Sequence, residues 1–273
     1  MSFRRQGRAA LGCALALCAT MAAGGALSAR PQTTAKPVAR AAYGPRDLSG
    51  IWVLNDYKGS SMPTKDRIPL DVDGRPPPMQ PWVAKVYETR IAAELAGKPL
   101  RNNKTECLPA GFPHMMLAAN YPIQVLQTPG QVTMIFEEDS RYRLILLDQP
   151  HPADLDLSYN GHSTGRWEGS TLVIDTVGLT DKKAIDQIGM PHTTALHVTE
   201  RLRRMDADNL ELLITLEDPG AFTRPWTLRR TYGRAPAGER IREYVCAENN
   251  RNPILAGGVQ GFAREPTTPG GAQ

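Results

Sequence analysis

From Pro122 to about Cys246 apolar side chains recur at every second residue, and no other feature restricts the fold so sharply. A period of two belongs to β-strands, because successive side chains point to opposite faces. Leu210, Leu212, Ile214 and Leu216 share one face of such a run, as do Val132, Met134 and Phe136, and Leu172 and Ile174. Turn chemistry separates the runs at Pro129-Gly130, Glu168-Gly169, Asp206-Ala207-Asp208 and Asp218-Pro219-Gly220. At the centre stands the stretch from Tyr159 to Thr176. It reads as a hairpin with a short strand into Trp167, a tight turn at Glu168-Gly169 and a longer strand through Val177.

Ten strand candidates follow from this pattern: one after Gly50, then Ile123–Thr128, Gln131–Glu137, Arg141–Leu147, the two arms of the central hairpin, Thr194–Arg204, Asn209–Glu217, Thr223–Tyr232 and Arg240–Cys246. Most are joined to their sequence neighbours. The expected fold is therefore all-β, an up-and-down antiparallel barrel, because closure removes exposed strand edges. A two-sheet sandwich is the alternative. The hairpins share no fixed-period signature, which argues against a propeller or solenoid. One helix is expected before the sheet. Pro81 suits its first position, Gly97 and Pro99 its end, and Val83, Tyr87, Ile91 and Leu95 form an apolar stripe.

The chain ends read differently. Arg4, Arg5 and Arg8 precede an apolar run from Ala9 to Ala23 and small residues with cuts possible after Ala26 or Ala29, the layout of a secretory signal over residues 1–29. Residues 30–46 read as a disordered lead-in, 47–252 as one barrel domain and 253–273 as a flexible tail. Removing residues 1–29 takes away three arginines and no acids, so the net charge of +4 falls to +1. That balance excludes a nucleic-acid partner, which calls for a basic patch. No other apolar run approaches the length of a bilayer span, so no stable membrane insertion is expected after signal removal. Cys107 and Cys246 then remain, and in an oxidising compartment they are expected to form a disulfide. Closing a loop of that length stabilises by roughly 4–5 kcal/mol in the loop-entropy model.

Glu200 falls on the apolar side of its strand, between Val198 and Leu202. A carboxylate there needs a partner or a wet cavity. Arg143, Arg166 and Arg229 are the candidate partners, and pairing is the preferred reading. The five histidines are His114, His151, His162, His192 and His197, and four of them sit in loops or at strand ends. His151 shares a rim loop with Asp154, Asp156 and Tyr159. No His-x-His or His-Glu-x-x-His spacing occurs, so no metal is expected. Gly161-His162-Ser163-Thr164-Gly165 has the Gly-x-Ser-x-Gly spacing of a nucleophile elbow but leads into a strand rather than a strand-to-helix turn, so Ser163 is not expected to be a nucleophile, and no nucleotide-binding glycine motif is present, so no cofactor is expected.

The runs Gly161-His162-Ser163, Gly165-Arg166-Trp167-Glu168-Gly169, Thr171-Leu172-Val173, Asp175-Thr176, Leu196-His197, Glu200-Arg201, Pro225-Trp226-Thr227 and Glu243-Tyr244-Val245-Cys246 resemble a family of exported bacterial proteins that is functionally uncharacterised. The resemblance covers roughly residues 47–252 and implies a periplasmic or secreted protein. Gly50-Ile51-Trp52 ahead of a meander is similar to the opening of calycin barrels such as lipocalins, which bind apolar small molecules and sometimes carry lyase or isomerase activity.

The functional expectation is a barrel that binds a small, partly apolar organic molecule and transforms it by cofactor-independent acid–base chemistry, as a lyase, hydratase or isomerase. His162 is the expected base or acid, Tyr159 a second proton donor, Glu200 an orienting carboxylate, Arg143 an anion partner and His114 a reserve. The alternative is a non-catalytic periplasmic carrier of the same fold.

Overall fold

The computed structural model describes residues 43–55, 70–98, 100, 108–117 and 121–245. Within them nine strands close into a barrel: β1 Gly50–Leu54, β2 Ile123–Thr128, β3 Gln131–Phe136, β4 Arg141–Leu147, β5 His162–Glu168, β6 Thr171–Val177, β7 His197–Arg204, β8 Asn209–Glu217 and β9 Trp226–Arg234. The order round the barrel is the order in the chain, and β1 closes against β9 with Leu54 opposite Tyr232. The expected barrel is therefore present. Two helices precede β2, α1 Pro81–Leu95 and the short α2 His114–Leu117. Among the described residues no helix is long and apolar enough to cross a membrane.

Two strand expectations need correction. Arg240–Val245 forms no strand and instead lies against the turn after β3, where Tyr244 N–H donates to Ser140 Oγ (3.4 Å) and Arg242 N–H to Glu137 Oε2 (3.0 Å). The barrel is also not wholly antiparallel. β4 and β5 run parallel, paired only at Ile145–Ser163, Leu146–Thr164 and Leu147–Gly165. A hairpin cannot join parallel strands, which need a connection of about a dozen residues or more. Residues 148–161 supply it by returning the chain to the barrel end where β4 began.

The lumen is filled rather than hollow. Val132, Met134, Ile145, Leu172, Ile174, Val198, Leu202, Leu212, Ile214 and Leu228 point inward and are almost fully buried. Gly165 lets the sheet close over this packing, since a Cβ there would lie 2.9 Å from Ile145 Cγ2. A void of about 10 Å³ between Trp52, Met116, Met134, Leu202 and Tyr232 holds about one water-sized probe. The end where β5 and β7 begin is stoppered by Ala110–Leu117, every residue of which is buried. Tyr232 Oη donates to the Met116 carbonyl at 2.7 Å and holds the stopper in place.

α1 behaves as its stripe predicts at Val83, Tyr87 and Ile91, which are buried, but Leu95 is exposed one turn before the Gly97 stop. Gly50 permits a close approach of the β9 end. A Cβ there would lie 2.9 Å from Arg234 Nη1, and the Arg234 guanidinium sits 4.7 Å from the Trp52 ring centroid. The end of the lead-in is held against the barrel, with the Tyr43 ring 3.9 Å from the Arg204 guanidinium and Arg46 Nε donating to the Gly169 carbonyl. Cys107 and Cys246 lie outside the described residues, as do residues 1–29 and 253–273.

Glu200 finds its partner in Arg143, both essentially fully buried inside the barrel. Arg143 Nη1 and Nη2 donate to the two Glu200 oxygens at 3.1 and 2.5 Å, Nε donates to Ser163 Oγ at 3.1 Å, and Nη2 to Thr176 Oγ1 at 2.8 Å. Its flat face lies 3.7 Å from the ring centroid of Phe112 in the stopper. One side chain on β4 is thereby tied to β5, β6 and β7. Removing one member of such a pair leaves an uncompensated buried charge, whereas replacing both with apolar groups does not. Arg143→Ala should cost about 3–5 kcal/mol in urea unfolding, and the double change Arg143→Met, Glu200→Leu should cost less than either single truncation. A double loss equal to the sum of the two single losses would show that the pair does not act as a unit.

Candidate functional site

His162 opens β5, and Gly161 before it has φ +63, turning the chain into the strand. The tight turn at Gly169 sets Glu168 opposite Thr171, which puts Thr164 opposite Asp175 and His162 opposite Val177. Ser163 and Gly165 point inward, so His162 and Asp175 point outward. β7 continues the same outer face with His197, beside Asp175 on the diagonal. His151 reaches over this face from the rim loop.

These side chains form one hydrogen-bonded chain. Asp175 Oδ1 lies 2.6 Å from His197 Nε2, and Oδ2 lies 2.8 Å from His151 Nε2. His151 Nδ1 lies 2.8 Å from His162 Nδ1, with ring centroids 5.0 Å apart at 70°. Glu217 Oε2 stands 3.5 Å from His197 Nδ1 at the far end. Burial pushes the Asp175 carboxyl up, but hydrogen bonds from His197 and His151 outweigh it and hold the group below its ordinary range. Asp175 is thus an acceptor at neutral pH, so His151 carries its proton on Nε2. A neutral His151 then offers its Nδ1 lone pair to the Nδ1 proton of His162. The remaining lone pair of His162 is on Nε2, which is the form a general base needs.

His162 also lines a half-open cleft of about 240 Å³ with Tyr142, Arg143, Leu144, Leu146, Asn160, Gly161 and Ser163. The cleft exists because the β4–β5 ladder is only three residues long. Below Ile145 the strands splay, bridged by Asn160 Nδ2 donating to the Tyr142 carbonyl at 3.1 Å. Leucines and the Tyr142 ring give it an apolar side, and Asn160, Ser163 and His162 a polar one. Burial, and then the neighbouring His151 charge, push the His162 pKa below its ordinary value.

The expected site residues are only partly brought together. His162 and Arg143 meet at the cleft. Glu200 does not orient His162, because the two lie on opposite faces of the sheet and both Glu200 oxygens are taken by Arg143. The carboxylate that orients the histidines is Asp175. Tyr159 is half-buried and does not line the cleft, and its carbonyl accepts the Phe112 N–H at 3.0 Å. His114 is buried in the stopper. Asp175, His151 and His197 were missed as partners, although the Glu168-Gly169 turn fixes the Thr164–Asp175 register and so puts Asp175 on the His162 face. Among the described residues no group of three or more His, Cys, Asp or Glu side chains is disposed to hold a metal ion. No protein-family model matches the chain, and no curated protein does.

The electrostatics predict an NMR result. The His162 imidazole should titrate below 6.5, and His151→Gln should move it upward without restoring 6.5, because burial remains the larger cause. Between the folded and unfolded values the unfolded chain binds the extra proton, so His162 makes stability rise with pH across that window. An unshifted His162 would contradict the packing described.

Proposed function

We propose that the protein is an exported barrel that binds a small, partly apolar organic molecule in the β4–β5 cleft and moves a proton on it with His162. The observation that carries this reading is the unbroken chain from Asp175 through His151 to His162, ending on the cleft wall. When His162 Nε2 takes a proton, its Nδ1 proton can shift toward His151, whose other nitrogen faces the Asp175 carboxylate. The positive charge is then met by a fixed negative one, as a base acting near neutral pH requires. The chemistry suited to this is elimination, hydration or isomerisation beside a carbonyl or hydroxyl group, and it calls for no cofactor. Arg143 is committed to Glu200, Ser163 and Thr176, and Ser163 to Arg143 and Thr176, so polar recognition falls to Asn160. Export rests on the basic and apolar pattern of residues 1–29.

The cleft is smaller than the roughly 300–1,000 Å³ of drug-sized sites, which limits the ligand to a few carbons. The test is deuterium uptake from D₂O into a panel of small keto and hydroxy acids, followed by proton NMR, with binding read from the side-chain amide shifts of Asn160 in the cleft. His162→Gln should lower exchange by about 10²–10⁴ and leave folding and binding nearly unchanged. Asp175→Asn should lower exchange by at least about tenfold through loss of the His151 tautomer. Binding with no exchange in the unaltered protein would make it a carrier. Exchange that survives His162→Gln would remove His162 from the chemistry.

A further inference from the structure

A second group of ionisable side chains lies away from the His162 chain, between the stopper and the loop that follows β6. Lys183 is 3% exposed, and its Nζ has no hydrogen-bond partner among the described residues. His192 is likewise 3% exposed, and its Nε2 has none among them. His192 Nδ1 stands 2.8 Å from the Thr193 carbonyl, which only accepts, so Nδ1 carries the proton and Nε2 a lone pair. Ile185 N–H donates to the Met190 carbonyl at 2.9 Å, which folds the loop back on itself and sets the arm carrying Lys183 against the arm carrying His192, where the Lys183 charge acts on the imidazole. Of the carboxylates that also act on His192, Asp181 is exposed, and Asp218 is engaged by Thr193 N–H (2.6 Å), Thr193 Oγ (2.8 Å) and Gly220 N–H (3.0 Å).

Buried polar atoms are nearly always partnered, and those that are not mark places where something binds or reacts. Burial brings the Lys183 amine down to about 7, so near neutral pH much of it is uncharged. Burial, and then the Lys183 charge, bring His192 down to about 4. An uncharged amine in a dry site is a nucleophile, and an adjacent unprotonated imidazole is a proton carrier.

We propose that Lys183 and His192 capture a small aldehyde or ketone as an imine, with Lys183 Nζ as nucleophile and His192 Nε2 as proton carrier. The Nζ lone pair forms a C–N bond to the carbonyl carbon as the C=O π bond breaks. His192 Nε2 takes a proton from the nitrogen and delivers it to the oxygen. The nitrogen then loses its second proton, the oxygen leaves as water, and a C=N bond remains. Amine and carbonyl compound thus give imine and water, with no redox step. This assignment is independent of His162.

The folded protein is treated with acetaldehyde and sodium cyanoborohydride at pH 7, and ethylation of each lysine is followed by peptide mass spectrometry. Lys183 should be ethylated at least about tenfold faster than the exposed Lys182 and Lys85. His192→Gln should slow Lys183 at least about tenfold and leave Lys182 unchanged. Lys183→Met should abolish the fast site while preserving the fold. It should also flatten the rise of stability with pH between about 7 and 10.5, where the unfolded chain holds a proton that folded Lys183 has lost. Ethylation of Lys183 no faster than Lys182, or only in urea that unfolds the barrel, would overturn the proposal, as would a Lys183 rate indifferent to His192→Gln.

Discussion

Nine strands cannot alternate up and down all the way round a closed ring. With an odd number, at least one pair of neighbours must run in the same direction. Here the joint between β1 and β9 is antiparallel, so the parallel joint falls at β4–β5. Its position follows from the connections. Hairpin turns join β2 to β3 and β5 to β6 and dictate antiparallel pairing, whereas residues 148–161 are long enough to carry the chain back across the barrel. The parallel joint is also among the shortest ladders, three residue pairs like those of β1 with β2 and with β9. The cleft that His162 lines is the space this short ladder leaves.

A barrel with a short joint needs other bonds across it, and Arg143 makes them. Its guanidinium reaches from β4 to Ser163, Thr176 and Glu200 on the three strands beyond the joint, with Phe112 of the stopper against its face. The desolvation cost of burying this pair is large, and the hydrogen bonds on both partners are what offset it. The same arrangement divides the two faces of β5. Ser163 is drawn inward to Arg143, which commits His162 to the outside and to the Asp175 chain. The interior ion pair ties the strands together, and the hydrogen-bonded histidine chain of this joint lies on its outer side.

Much of this was legible in the residues. Alternation at Leu210–Leu216 and Val132–Phe136, and turns at Pro129-Gly130 and Glu168-Gly169, gave the strands and their facing correctly. The inward position of Glu200 was visible from Val198 and Leu202, and with it the need for an arginine. What could not be read was long-range. Arg240–Val245 carries strand-forming residues, but the ring closes at β9 and leaves it no edge to pair with. The filled lumen depends on Ala110–Leu117, a segment whose small and apolar residues have no period that announces a stopper. His151 and His162 are eleven residues apart with a loop between them, so only the loop's path brings them together.

Lys183 shows how backbone can decide the fate of a charged side chain. A lysine usually buries its stem and leaves its amine in water. Its neighbour Lys182 is exposed, so solvent is one residue away. Lys183 is turned inward, with its stem lying on Gly111. A Cβ at Gly111 would stand 2.7 Å from Lys183 Cδ and 2.5 Å from the Tyr159 carbonyl oxygen, and Gly111 has φ +68, where a side chain is strained in any case. Only glycine leaves the lysine this berth. The stopper and the rim loop that carries His151 therefore meet at one residue, and the space its missing side chain leaves is taken by the stem of a lysine whose amine has no hydrogen-bond partner among the described residues.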